Sequence, residues 1–470
     1  METNSTSPNT SPISREKSPF LPFTIPKFSF LLLLLLLLSP VLLIFLILLQ
    51  IHYYNNSYLP LPCTSVSQFS NRTISMLRLS TTFLPLKDLR LSDHPMEGST
   101  WFMSSLSDSS DAAGEPAYMR FPSAASGGRL LCLAAGDPYD GARNTYALAY
   151  REALPENSTI RRGLTFISDT YYDYDNICHG LSALLPFARW HAMNGCKAPA
   201  RWVLFHWGEP RKTMGNWVRI VAEASTGAPV RIEGFEGKDP AAVNCFEEAV
   251  VIRRNDGGMA KERKEEVYDM IRCRARAYCN LTRKEEDSTR VIRMTLLFRV
   301  GARSFKNETA VAGVFTRECR KVEGCRIRLA RPNNLSFCHQ VKLMSETDIL
   351  VSPHGAQLTN MIFMEKNSSV LEFFPKGWLE LAGAGQYVYQ WLADWSGMRH
   401  QGQWRDPAGQ SCPFGDDKPR CFTFHKDAQI GHDELFFSQW AAEVLRETKV
   451  RKSPPASTTS VDSSCNYCED

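Results

Sequence analysis

Two arginines four residues apart, Arg299 and Arg303, follow directly on an apolar run, Val291 to Phe298, that reads as a buried strand. Guanidinium groups at the end of a strand in an open α/β sheet lie on its ligand side. A pair of them suits a diphosphate, because each holds phosphate oxygens bidentately. A solvated surface patch is the other reading of the same pair. Farther along, the stretch DILVSPHGAQLTNMIFMEKNSSVLEFFP runs from Asp348 to Pro375. Asp348 to Ser352 reads as a short buried strand closed by Pro353, Ala356 to Met364 as a helix opening at Gly355, and Val370 to Phe374 as a second strand. Strand, glycine turn, helix N-terminus and strand make a βαβ-like unit, whose natural ligand is an anion on free backbone N–H groups. His354 stands at that mouth. Glu372, at the end of the second strand, is placed where nucleotide-binding sheets accept ribose hydroxyls. An ordinary α/β turn with a structural histidine fits the same spacing.

A second set of candidates follows the strand Leu164 to Ser168. Asp173-Tyr174-Asp175 offers two carboxylates to Mn²⁺ or Mg²⁺, which would mean one nucleotide-binding domain with a metal bridging the diphosphate. A two-carboxylate match of this kind arises by chance about once in a chain this long. Asn176 and His179 come next, ahead of a helix starting near Leu181. A histidine there can take a proton from an acceptor hydroxyl, since its ordinary pKa of about 6.5 is easily tuned. A satisfied structural histidine is the alternative, and Asp175 is the reserve acid/base group.

The rest of the chain must position these groups. Its 470 residues, 43% hydrophobic and 11% aromatic, suffice for two or three packed domains. A net charge of +4 with no arginine–aromatic tract gives no reason to invoke nucleic acid. Phe28 to Leu49 carries no charge and as a helix would span about 33 Å, enough for a bilayer. It is too long for the core of a cleaved signal peptide, and no small-residue cleavage site follows it. Arg15, Lys17 and Lys27 precede it, and no Lys or Arg follows until Arg72, so the expected topology has a cytoplasmic N-terminus and a luminal remainder. All fourteen cysteines lie beyond the span, as an oxidising compartment permits. Cys319 with Cys325 and Cys273 with Cys279 are plausible short-loop disulfides, and Cys465 with Cys468 resembles half a zinc site or a tail disulfide. Seven sequons on the expected luminal side, at Asn55, Asn71, Asn157, Asn280, Asn307, Asn334 and Asn367, agree with passage through the secretory pathway.

Residues 1–27 read as a disordered tail, 50–94 as a polar stem, and Ser104 to Gly128 as a long surface loop. A first region, 95–287, carries expected strands at Leu130 to Ala134, Leu164 to Ser168, Trp202 to His206 and Ala249 to Ile252, with helices at Leu181 to Ala192 and Lys261 to Ala277. Strands alternating with helices indicate a mainly parallel sheet. The second region, 288–450, begins with Val291 to Phe298 and continues with Arg326 to Leu329, the βαβ-like unit and an aromatic stretch, Trp378 to Trp395, helical in part. Two α/β halves with a cleft between them, the donor on the C-terminal half, are expected. After Val450 a polar tail follows.

Together these residues resemble the family 61 glycosyltransferases, secretory-pathway enzymes that include plant xylosyl- and arabinosyltransferases and animal O-linked N-acetylglucosamine transferases. The resemblance covers Leu164 to Pro375 and is strongest from Ser336 to Pro375. There the family pattern of a Gln-containing helix, a strand, His-Gly-Ala, Leu-Thr-Asn and a Glu-Phe strand is met by Gln340, His354, Gly355, Ala356, Leu358, Thr359, Asn360 and Glu372. Arg299 and Arg303 with Asn307 and Glu308 are similar to its Arg-rich segment, and Asn176 with His179 to its Asn-x-x-His segment. Gln357 stands where many members have Gly, and Ala183 where many have Asp. The resemblance implies a GT-B-like fold of two Rossmann-like domains, an inverting reaction and no obligatory metal. It also implies a UDP-sugar donor, a glycan or glycoprotein acceptor and residence as a type II membrane protein of the Golgi. By the region in which each residue falls, Arg299, Arg303, Gln340, His354, Gly355, Thr359, Asn360 and Glu372 are expected at the donor and His179 at catalysis, with Asp175 in reserve. Ala183 motivates a rival expectation, a catalytically silent glycan-binding or scaffolding member of a Golgi assembly.

Overall fold

The computed structural model describes residues 43–50, 71–88, 101–103, 114–170, 174–235, 242–252, 258–281 and 291–452. The chain divides into two units, 1–70 and 71–470. In the first, helix α1 (43–50) exposes Leu43 through Leu49 all round. No helix among the described residues is long and apolar enough to cross a membrane, and the expected span over 28–49 lies outside them up to residue 42.

The second unit opens with helix α2 (Asn71–Leu79) and strands β1 (Leu84–Pro85), β2 (Lys87–Asp88) and β3 (Trp101–Phe102), of which β2 and β3 pair with each other. β4 (Tyr118–Phe121), β5 (Leu130–Ala134), β6 (Thr145–Ala149), β7 (Ser158–Thr170), β8 (Arg201–His206), β9 (Glu209–Arg211) and β10 (Val243–Ile252) join β1 in an eight-stranded sheet, ordered β1-β6-β5-β10-β7-β8-β9 with β4 on β10. This corrects the expectation of a mainly parallel sheet. Only β10 with β7 and β7 with β8 run parallel, while every other pair is antiparallel. The alternation of strands with helices is local and genuine, but β10 also takes two antiparallel partners, β4 and β5, from more than 100 residues earlier in the chain. β4 also lies inside the supposed surface loop 104–128, and buries Met119 and Phe121.

Helices α3 (Ile177–Met193), α4 (Asn216–Thr226) and α5 (Lys261–Tyr278) cover one face of this sheet. α3 starts four residues before the expected Leu181, because the Asn176 side chain caps it by accepting from the Cys178 N–H at 3.1 Å. His179 is therefore inside the first helical turn.

The second sheet is wholly parallel: β11 (Ile292–Leu297), β12 (Cys325–Ala330), β13 (Ile349–Pro353), β14 (Ser369–Phe374) and β15 (Arg399–Arg405), in the order β12-β11-β13-β14-β15. Helices α6 (Glu308–Arg320), α7 (Phe337–Ser345), α8 (Trp378–Leu381), α9 (Val388–Trp395), α10 (Lys418–Asp427) and α11 (Glu434–Lys452) connect and follow these strands. Every residue of β13 and β14 is buried, as a parallel sheet covered on both faces requires. Period-2 alternation divides them. Ile349, Val351, Leu371 and Phe373 face α6 and α11, whereas Leu350 and Val370 face the other way, toward a core shared with α3, α4 and α5.

That shared core joins the two sheets. Trp217 on α4 donates to Asn360 Oδ1 at 3.1 Å, and Arg272 on α5 donates to the Ile362 carbonyl at 2.8 Å. A Cys279–Cys338 disulfide ties the end of α5 to α7. It replaces the expected Cys273–Cys279 pair, since six residues along a helix separate Cα atoms by about 9 Å, beyond disulfide reach. Cys319–Cys325 forms as its short loop suggested, with Cys132–Cys245 and Cys412–Cys421 in addition, while Cys465 and Cys468 lie outside the described residues. All six described sequon asparagines are exposed; Asn55 lies outside the described residues.

Candidate active site

Counted along the chain, the second sheet has strand order 2-1-3-4-5, so the topology switches direction between β11 and β13. The crevice beyond the C-terminal ends of those two strands is where such sheets bind ligands. Arg299 and Arg303 follow β11, and His354 and Gly355 follow β13. The register of β11 on β13 brings them together, and Arg299 Nη1 donates to the His354 carbonyl at 3.1 Å.

The two guanidinium groups are half-buried, and among the described residues neither forms a salt bridge. The Arg303 side chain makes no hydrogen bond there either; its guanidinium lies 5.0 Å from the Trp378 ring centroid. Burial holds the Arg299 pKa below its usual range, and burial together with the neighbouring Arg299 charge brings Arg303 down to about 10. The Nε atoms of both arginines, Trp378 Nε1 and His425 Nδ1 are buried without a hydrogen-bond partner among the described residues. Buried polar atoms are nearly always satisfied, so this concentration of unpaired groups, most of them donors, describes a place shaped for an acceptor-rich ligand.

Gly355 explains how the arginine gets so close. Its φ of 151° belongs to glycine, and a Cβ there would stand 2.1 Å from Arg299 Nη1. Gly355→Ala is therefore expected to destabilise the fold by about 1–3 kcal/mol and to displace Arg299. Thermal unfolding in urea would register the first effect and loss of nucleotide-induced stabilisation the second. Unchanged stability together with an intact nucleotide response would contradict it. The following residues, Ala356–Phe363, form a 3-10 helix instead of the expected α-helix, and Gln357 turns its amide back onto the Pro353 carbonyl at 2.8 Å.

Several residues expected at the donor have other occupations. Glu372 is wholly buried on central strand β14. Its two carboxylate oxygens hold His354 Nδ1 at 2.6 Å and His400 Nε2 at 2.9 Å, which corrects the expected ribose contact. Those imidazole hydrogen bonds keep its pKa low despite a burial that pushes it up. Asn360 is spent between Trp217 and the Gln357 carbonyl, and Gln340 donates to the carbonyls of Pro332 and Leu335, so both support the site without lining it. Thr359 is fully buried against Cys178 and Tyr389.

On the facing side, β7 and β8 end together at Thr170 and His206. His179 comes up beside His206, and burial with that neighbour lowers its pKa to about 4, not toward neutrality as expected. It is an uncharged base throughout the physiological range. α3 meets the second sheet through Cys178, whose thiol burial pushes up to about 11 beside Thr359 and Tyr389; the Tyr389 ring is 5.1 Å from that of His354. Asp175 is exposed, and Asp173 lies outside the described residues. Ala183 is 2% exposed in the shared core, where a carboxylate would be desolvated.

Sequence reasoning missed Asp169, His206, Trp378, Tyr389 and His400. Asp169, at the end of β7, accepts from the Trp207 and Gly208 N–H groups at 3.1 and 2.7 Å, and burial pushes it up to about 7. The strand-end argument that found Arg299 would also have found Asp169 and His206. Trp378, Tyr389 and His400 carry no local signal.

Residues 179–371 match the family described as Glycosyltransferase 61. No curated protein matches the chain. Among solved structures, the X-ray structure of an oxidoreductase from Corynebacterium diphtheriae is similar over 34% of this chain and 98% of that one, at 8% identity and a TM-score of 0.23, a likeness that carries no argument.

Proposed function

With residues 179–371 matching that family, the protein is a glycosyltransferase of family 61, and we propose that it moves a sugar from a UDP-linked donor to a glycan or glycoprotein hydroxyl with inversion. Xylose, arabinose or N-acetylglucosamine is the sugar. The observation that carries this reading is the pair Arg299 and Arg303, desolvated and, among the described residues, without a salt bridge at the switch point of a parallel sheet. A buried cation pair is unfavourable alone and favourable around a diphosphate, whose charge grows as the sugar departs. In this reading the two sheets are the halves of a GT-B-like enzyme: residues 288–450 hold the nucleotide sugar and 95–287 receive the acceptor. His179, neutral at the end of the facing sheet, takes the acceptor proton during a single in-line displacement.

Residence in the Golgi lumen, behind one membrane helix at 28–49, belongs to the same proposal. It is supported by the disulfides, the exposed sequon asparagines and the apolar surface all round α1. The test is a thermal-shift titration of the purified chain with UDP and GDP, followed by turnover with a panel of nucleotide sugars. Stabilisation must grow with ligand as mass action requires. Binding without turnover on a broad acceptor panel would favour the silent, glycan-binding reading motivated by Ala183, and no binding at millimolar nucleotide would remove the proposal.

Because fixed arginines supply the positive charge, turnover is expected to survive exhaustive EDTA treatment. Activity lost to EDTA and restored by Mn²⁺ would instead move the donor to Asp173 and Asp175.

A further inference from the structure

His354, Glu372 and His400 form a continuous buried cluster. Glu372 lies at its centre, 0% exposed, with one imidazole on each oxygen. A carboxylate that stays ionised there accepts an N–H from both rings, which fixes the proton of His354 on Nδ1. The other nitrogen, Nε2, makes no hydrogen bond to any described residue. The His354 ring is boxed by Phe374, Trp378 and Tyr389 at centroid distances of 4.7, 5.3 and 5.1 Å, and Trp378 in turn carries Arg303. The ring is thus locked in place with one nitrogen uncommitted, beside the two arginines.

Charge bookkeeping gives that nitrogen a role. Arg299 and Arg303 contribute two positive charges and Glu372 one negative. A bound diphosphate brings about two more negative charges, leaving the buried group one proton short of neutrality. Of the other titratable groups around it, the Tyr389 hydroxyl and Cys178 thiol are held neutral by burial, Asp427 of α10 acts on Arg303 with the opposite sign, His400 is bonded to Glu372, and His425 of α10 packs against Gly377. We propose that His354 meets the departing diphosphate as an imidazolium, and that His400 is the positioning residue which, through Glu372, keeps it so. When the bond from the anomeric carbon to the β-phosphate oxygen breaks, its electron pair goes to that oxygen, which accepts a hydrogen bond from His354 Nε2–H. The acceptor oxygen forms the new bond to the anomeric carbon and its proton leaves to the base on the facing sheet. His400 lies beyond the segment 179–371 that matches the family, and it touches no reacting atom. Its N–H holds the second oxygen of Glu372 ionised; without it, a carboxylate oxygen would be buried unpaired, Glu372 would take up a proton, and His354 would lose the anion that stabilises its charge.

The inference rests on the proposed nucleotide-sugar site, and two measurements separate them. Calorimetry of UDP binding to the wild-type chain in buffers of different ionisation enthalpy should show proton uptake, with affinity falling by up to about tenfold per pH unit as pH rises through the imidazole titration. In His400→Leu that fall should begin at lower pH than in the wild type, and His400→Gln, which keeps an N–H for Glu372, should restore the wild-type position. UDP binding with no proton uptake overturns the inference and leaves the donor site standing, as does an identical pH dependence in a folded His400→Leu protein. If the wild-type chain binds no nucleotide at any pH, both readings fall. The proton-uptake measurement needs no variant, so a His400→Leu chain that does not fold leaves the test intact.

Discussion

Arg303→Met is expected to weaken UDP by about 10- to 150-fold while leaving the unliganded protein as stable as the wild type, or more stable. The first figure follows from losing a charged hydrogen bond worth about 1.5–3 kcal/mol, at a factor of ten per 1.4 kcal/mol. The second follows from what surrounds the guanidinium. It is desolvated, repelled by Arg299, and held among the described residues by stacking on Trp378 without a hydrogen bond. Methionine keeps much of the packing on that ring and removes the burial penalty of the charge. A binding site that stores unfavourable electrostatics for its ligand gains stability when that charge is removed, whereas a structural arginine loses it. Melting curves with and without UDP separate the cases. A large drop in the unliganded melting temperature with an undiminished UDP shift would make Arg303 a structural residue.

His179→Ala is expected to reduce turnover by about 10²–10⁴-fold with UDP affinity nearly unchanged, because general-base catalysis contributes that much and the proposed donor site lies on the other sheet. The pH profile gives a sharper check than the magnitude. With its folded pKa depressed to about 4, His179 is deprotonated and competent at every pH above that value. Activity should therefore hold as pH falls through 6.5 and decline only toward about 4, and an acid limb near 6.5 would point to a different base. Should His179→Ala turn over normally while Asp175→Asn does not, the role passes to that carboxylate. Asp169 would be next to test, since it lies on the same sheet edge with a pKa pushed up to about 7. Full activity in both the His179 and Asp175 variants would remove this segment from the acid/base chemistry.

The residues on which these predictions turn were legible to different degrees. Arg299, His354 and Gly355 could be placed from sequence because each follows a predominantly apolar run. β13 and β14 are central strands with both faces buried, and such strands announce themselves by composition alone. The βαβ-like unit survives almost residue for residue for the same reason. By contrast β15, reading RHQGQWR, sits at the sheet's edge, where one side needs no apolar cover, so neither the strand nor His400 upon it gave a signal.

What sequence by itself determined about this protein is therefore local: where apolar runs end, which glycine opens the turn, and which family the central segment resembles. Tertiary structure alone decided the direction of the first sheet's strands and the occupations of the buried polar residues. Glu372 illustrates the division. Its strand-end position suggested a ligand contact. The face of β14 on which its side chain falls, opposite β13 and β15 at once, instead encloses it between two imidazoles. The physical reason is range: a strand's propensity resides in its own few residues, but the partner of a buried carboxylate is chosen by whatever the folded chain brings within about 3 Å, in this case histidines 18 positions before it and 28 after.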